Sequence, residues 1–241
     1  MFGLAVKAET DGMAKALSAV ATKQLPWAIA NALNDTAEAI RADTRRLMES
    51  VFDRPTPFTL GAFKVTKAAP DRLFASVERK DQVVGRHYLE TEETGGPRRQ
   101  TATDKLMDSR IAWGGRLWGI VPGDAAKLDQ YGNWSAGERN QVLSVLKAMR
   151  DGAANETARS RKKAGAKRAR YFVPALGTIK TPGVYKRVPG QRAPQLILLF
   201  VSSAPTYQAR LPFHDNAERV ARVTFGPRFA YRFNQALATA R

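Results

Sequence analysis

The sequence predicts an α+β protein: a long N-terminal helix and a kinked C-terminal helix packed on a mostly antiparallel sheet, with an irregular basic insertion. Three observations lead there. Apolar residues recur at spacings of three, four and seven near both ends of the chain. Short runs of partial alternation, bounded by Pro and Gly, lie between them. One stretch concentrates positive charge with no large apolar residue to bury. On this reading residues 1–84 and 171–241 form a helix–sheet–helix core domain, and 85–170 an irregular, basic insertion. A length of 241 residues allows one large domain or two small ones, and 44% hydrophobic residues call for a real core.

The first helix is expected from about Gln24 to Val51, with Pro26 in its first turn. Ile29, Leu33, Ala37, Ile40, Leu47 and Val51 form one apolar stripe, opposite Asp35, Glu38, Arg41, Arg45 and Arg46. Such a helix is about 40 Å long, a length suited to packing against a neighbouring subunit. A shorter amphipathic helix is expected from Asp11 to Thr22. Phe58–Lys67 and Leu73–Lys80 then read as a hairpin turning at Pro70-Asp71. In the middle region, helices are expected near Asp104–Trp113 and Ser135–Arg150, among loops rich in Gly and charge. Trp113, Trp118 and Trp134 fall here, where aromatic side chains serve either contact surfaces or core filling.

Tyr171–Val173, Gly183–Arg187 and Leu196–Ser202 are further strands, and the last, apolar on both faces, belongs in the centre of a sheet. Phe213–Ala240 reads as a helix with a kink or break at Gly226-Pro227, because Pro removes a backbone donor and crowds the preceding turn. Phe225, Phe229, Tyr231 and Phe233 give its second half a large area to bury.

Charge carries the functional signal. Arg159, Arg161, Lys162, Lys163, Lys167, Arg168 and Arg170 lie in RSRKKAGAKRAR with no acid among them. Residues 151–192 hold eleven Lys and Arg against Asp151 and Glu156, over half of the chain's net +17. Like charges so concentrated repel unless a polyanion or an acidic surface receives them. A solvated loop that only keeps the chain soluble is the plainer alternative.

Several chemistries find no support. With no Cys there is no disulfide and no thiolate site, and His87 and His214 lie in unrelated surroundings, which argues against a metal. No phosphate-cradling Gly loop and no G-x-S-x-G is present, so no catalytic residue and no cofactor is assigned. Asp71 with Glu78 and Lys80 loosely matches a metal-dependent nuclease pattern, but extended chain would separate the carboxylates by about 23 Å. Zinc-finger, basic-zipper and RNP patterns are missing, so any contact with DNA would be to phosphate. The longest apolar run, LILLFV, suits a buried strand and is far too short to span a bilayer. Neither a membrane nor a secretion signal is indicated, and a soluble protein of the cell interior is expected.

Four stretches together resemble the phage minor tail protein Z family, the tail-completion or neck proteins of tailed bacteriophages. They are AIANALNDTAEAIRADTRRLM, LDQYGNWSAGERNQVLSVL, YFVPALGTIKTPGVYKRV and LPFHDNAERVARVTFGPRFAYRFNQALATA, in that order. The resemblance implies a structural virion protein: a homo-oligomeric ring subunit, hexamer or dodecamer, assembled in the host cytoplasm. It would join the portal or adaptor of the head to tail proteins around the DNA channel. The basic residues from Arg159 to Arg170 would face double-stranded DNA through phosphate contacts, or an acidic partner. Ile29, Leu33, Ile40, Phe229, Phe233 and Leu237 would serve packing within or between subunits. A sequence-independent nucleic-acid-binding protein and a Mg-dependent nuclease remain the alternatives.

Overall fold

Small residues set the first helix. The structure, a computed structural model, describes residues 18, 20–80, 88–111, 114–164, 170–175 and 177–239. Its contacts divide the chain into two units, 1–87 with 210–241, and 88–209. In the first, a π-helical turn, Val20–Gln24, leads into α1, Leu25–Val51, with Pro26 in its opening turn. Most of the helix expected from Asp11 lies outside the described residues. Ala28, Ala32, Thr36, Thr44 and Met48, four or eight apart, are the buried face, with Ala30 and Ala37 beside them. The hydroxyls of Thr36 and Thr44 donate to Ala32 O and Ile40 O, each at 2.8 Å, so neither is buried unsatisfied.

Helix α1 packs on α7, Phe213–Ala238, in the most extensive contact of the unit. Arg232 grips Asp35 through two bonds of 2.8 and 2.9 Å, and Arg219 reaches Asp43 at 2.8 Å. Partners rise along α1 as they fall along α7, so the helices run antiparallel. The small seam lets the backbones approach, and it displaces the bulky stripe: Ile29, Leu33 and Ile40 are half-buried rather than buried.

Of the kink or break expected at Gly226-Pro227, the break does not occur; α7 continues through Pro227 as one helix. Asp43–Arg219 and Asp35–Arg232 anchor it on either side of the proline. Pro227 and Val223 are both exposed, so water can serve the carbonyl that loses its donor.

After α1 comes one turn of helix, α2, Pro57–Leu60, capped by Thr56, whose hydroxyl accepts from Thr59 N–H at 3.1 Å. The strands that follow are shorter than expected, β1 Phe63–Thr66 and β2 Ser76–Arg79, antiparallel with Phe63 opposite Arg79. Phe58 is drawn into α2, and Leu73 and Phe74 are exposed past the Pro70-Asp71 turn, which an Ala69–Arg72 bridge closes. The Asn34 side chain clamps this region to α1, donating to Ala68 O at 3.0 Å and accepting from Ala68 N–H at 2.7 Å.

The second unit holds α3 Tyr88–Thr94, β3 Gly96–Pro97, α4 Ala102–Arg110, β4 Gly119–Pro122, α5 Ala136–Val145 and α6 Ala158–Ala164. Then follow β5 Arg170–Phe172, β6 Gly183–Arg187, β7 Gln195–Val201 and β8 Thr206–Tyr207. Strands β4-β7-β6-β5 form an antiparallel sheet in that order, and β3 pairs with β8. The apolar strand β7 is internal, as its composition requires. At Gly183 a Cβ would collide with the Leu198 carbonyl oxygen, so only glycine allows β6 its approach to β7.

This unit corrects the expected domain plan. The described residues from 88 to 164 are not an irregular appendage; with the strands after 170 they form one unit. Met107, Leu117, Val142 and Leu143 from the expected insertion share one core with Tyr171, Val184, Ile197, Leu198 and Phe200. Strand β4 needs β7 to satisfy its backbone, so the segments on either side of 170 fold together. Two buried carboxylates brace the unit. Asp104 accepts from Thr101 N–H, Thr101 Oγ1 and Ile120 N–H at 2.7–3.0 Å, with Arg98 at 3.2 Å. Glu138 accepts from Lys127 N–H at 2.7 Å, Tyr171 OH at 3.0 Å and Trp134 Nε1 at 3.2 Å. Trp134 thus serves the core; Trp113 lies outside the described residues.

Candidate polyanion-binding face

The charged face is built at the end of α5. Ala148 N–H donates to Leu143 O at 2.7 Å and Lys147 N–H to Ser144 O at 3.2 Å, a paired C-terminal closure. Lys147 takes the left-handed position, φ +57°, where glycine is usual. Ala148 and Leu143 are both buried, which anchors the turn and leaves the Lys147 side chain exposed. Ser144 then holds the returning loop, its hydroxyl donating to Ala154 O at 2.8 Å and its backbone carbonyl accepting from Glu156 N–H at 3.1 Å. Asn155 Oδ1 accepts Met149 N–H at 3.1 Å.

From this fixed loop α6 starts at a reciprocal cap: Ser160 N–H donates to Thr157 Oγ1 at 3.1 Å, and Thr157 N–H to Ser160 Oγ at 2.9 Å. Arg159, Arg161, Lys162 and Lys163 are all exposed on α6. Arg161 is partnered, its Nε 3.0 Å from Glu156 Oε2. Among the described residues, no hydrogen bond or ion pair engages Arg159, Lys162 or Lys163. Lys167 and Arg168 lie outside the described residues.

Strand β5 adds Arg170, exposed, and the sheet register sets it directly opposite Arg187 of β6, also exposed. Like charges facing across a strand pair are destabilising. The Arg187 guanidinium rests 5.7 Å from the Phe172 ring centre, and Lys186 Nζ 5.5 Å from that of Tyr171. A cavity of about 760 Å³ opens among α5, α6 and β5, with Arg161, Arg170 and Arg187 on its wall. A second hollow of about 480 Å³ is lined by Lys147, Arg161, Lys162 and Arg170. Among the described residues Glu156 is the one acid on either wall, and it already holds Arg161.

The structure therefore gathers Arg161, Lys162 and Arg170 and adds two cations not singled out from the sequence, Lys147 and Arg187. Arg187 lay within the basic window, but only its pairing with Arg170 marks it; nothing in the sequence marks Lys147. The residues expected to serve packing lie in the other unit. Phe225, Phe229 and Phe233 stack along α7 with centroids 6.2 and 5.7 Å apart, half-buried, and Leu237 is 40% exposed.

Asp71 and Glu78, the loose nuclease pair, sit at the hairpin turn and in β2. Glu78 accepts from Ser76 Oγ at 2.7 Å and faces Lys64 at 3.8 Å. No helix among the described residues is long and apolar enough to cross a membrane. Compared with protein-family models, with curated proteins and with solved structures, the chain finds no match in any of the three.

Proposed function

We propose that this chain is a structural virion protein of a tailed phage, a neck or tail-completion ring subunit of the minor tail protein Z kind, joining the head connector to the tail around the DNA channel. The observation that carries this reading is the basic face on α5, α6, β5 and β6, whose one acid among the described residues, Glu156, is taken up by Arg161. Arg170 opposes Arg187 there at a cost that an anion offsets, and Arg159, Lys162 and Lys163 stand ready for phosphate. Such a face binds a polyanion without reading bases, as a DNA channel requires. The half-exposed apolar residues along α1 and α7 supply long surfaces for neighbouring copies.

Light scattering of the purified full chain, with electron microscopy of the same sample, tests the reading. Closed rings of identical copies are expected. A second reading draws on the same basic face: a sequence-independent nucleic-acid-binding protein outside any ring. It predicts a monomer or dimer whose affinity for duplex DNA collapses between low and moderate salt. Finding that pair of properties would replace the neck assignment.

A further inference from the structure

We infer that the two hollows of the basic face together hold one unpaired nucleotide, its phosphate in the smaller and its base in the larger. The inference rests on the reading above and names which part of a nucleic acid this face receives. Glu156, Arg161 and Arg170 line both hollows, so the two meet along those side chains. At about 480 and 760 Å³, each has the size of a small-molecule site, about 300–1,000 Å³.

Their walls differ in chemistry. Lys147, Arg161, Lys162 and Arg170 surround the smaller one, with Ala158 between them. Ala158, Arg161 and Lys162 stand three and four residues apart and so share one face of α6. Glu156 takes Arg161 at 3.0 Å, and among the described residues no hydrogen bond or ion pair engages the side chains of Lys147, Lys162 or Arg170. Residues 165–169, GAKRA in the sequence, bring no acid. Three cations without a counter-charge around one small hollow call for a compact anion such as phosphate.

The larger hollow has Asn140 and Gln141, the apolar surface of Val145 and Met149, and Phe172 with Arg187. Asn140 and Gln141 are exposed, and among the described residues no hydrogen bond engages their side chains. A nucleobase divides in the same way: its faces are flat and apolar, and its edges carry donors and acceptors. Aromatic rings and guanidinium planes stack on the faces, and a carboxamide, with both a donor and an acceptor, suits the edge of any base. In a duplex those faces are stacked and those edges paired, so only an unpaired base can enter. Arg159 and Lys163, which line neither hollow, remain for neighbouring phosphates of a strand.

The test uses the full chain and a short oligothymidylate labelled with fluorescein at its 3′ end, read by fluorescence anisotropy at physiological salt. Saturable binding is expected, about tenfold tighter than to a duplex of the same length. An abasic strand keeps the phosphates and sugars and should bind no better than the duplex. Asn140→Ala combined with Gln141→Ala, both at exposed positions, should weaken single-strand binding severalfold more than duplex binding. Lys162→Glu should weaken both, with the circular dichroism spectrum unchanged. Thymidine monophosphate as competitor separates the sources: displacement at concentrations like those of the oligonucleotide makes a free nucleotide the occupant, and displacement only in large excess makes it a strand. Equal binding of the abasic strand, a duplex bound as tightly as the single strand, or a double variant that binds the single strand as the parent does would each overturn the inference. Displacement of the oligonucleotide by a phosphoserine peptide at equal concentration would do the same. Rings that form from a chain with no preference for the unpaired strand remove this inference alone. That preference in a chain that never forms rings, alone or with duplex DNA, removes the neck reading alone.

Discussion

Asp35 and Arg232 set how the first unit answers to acid. The two hydrogen bonds from the Arg232 guanidinium hold the Asp35 carboxyl below its ordinary range; its partial burial opposes this, and the charges of Arg232 and Arg228 reinforce it. The same contact raises Arg232, which is charged at every ordinary pH and so adds no dependence there. A depressed carboxyl contributes stability above its unfolded value, about 3.9, and loses it as pH falls through the lower folded value. Asp35→Asn is therefore expected to destabilise by about 1 kcal/mol at neutral pH. The gap from the parent should close as the pH drops through the acid range. Urea unfolding of both proteins across that range checks this; a gap that stays constant would show that the ion pair contributes nothing specific. A different kind of local cost marks the other unit, where Arg170 faces Arg187 and Lys147 holds a left-handed backbone. Rules broken together at one surface are the pattern of a binding site.

At the scale of elements, the helices and the apolar strand were legible and the partnerships were not. The stripe along α1 needs only the period of the chain, Pro and Gly bound β6, and β7 announced its internal place by being apolar on both faces. Which strand meets which is a long-range fact. Val121 of β4 pairs with Leu199 of β7, and no local pattern links the two, so the boundary at 170 was drawn through a single core. The basic run was legible as charge, yet the facing of Arg170 and Arg187 depends on β5 pairing with β6, which no local pattern shows. Pro227 does not end α7, because its penalty competes with anchoring on both sides and the anchoring wins. The penalty is still present. Pro227→Ala, at an exposed helical position, is expected to stabilise the chain by about 1–3 kcal/mol, because it restores one backbone donor and removes a clash. Thermal unfolding reads this directly. An unchanged or lower midpoint would mean that α7 gains from the proline through contacts of its ring.

For the whole molecule, the second unit carries everything that a self-sufficient domain needs. It is one continuous stretch, Tyr88–Ala209, of about 120 residues, within the usual range for a domain. Its own core spans α4, α5 and three strands of the sheet. Near its two ends, Gly96 pairs with Tyr207 and Pro97 with Thr206, and Arg98 N–H donates to Pro205 O at 2.9 Å, so entry and exit lie side by side. Chain inserted into another unit with its ends adjacent leaves both parts free to close their own contacts. Residues 88–209 expressed alone are therefore expected to unfold in one cooperative urea transition and to keep the basic face, with Lys147, Arg161, Arg170 and Arg187 in place. This fragment lacks α1 and α7, and with them Ile29, Leu33, Phe229 and Phe233. If those helices hold neighbouring copies together, it should stay monomeric by light scattering. A fragment with no cooperative transition would show that the core is incomplete without the terminal helices, and a fragment that still forms rings would move the subunit contacts from the helix pair to the sheet unit.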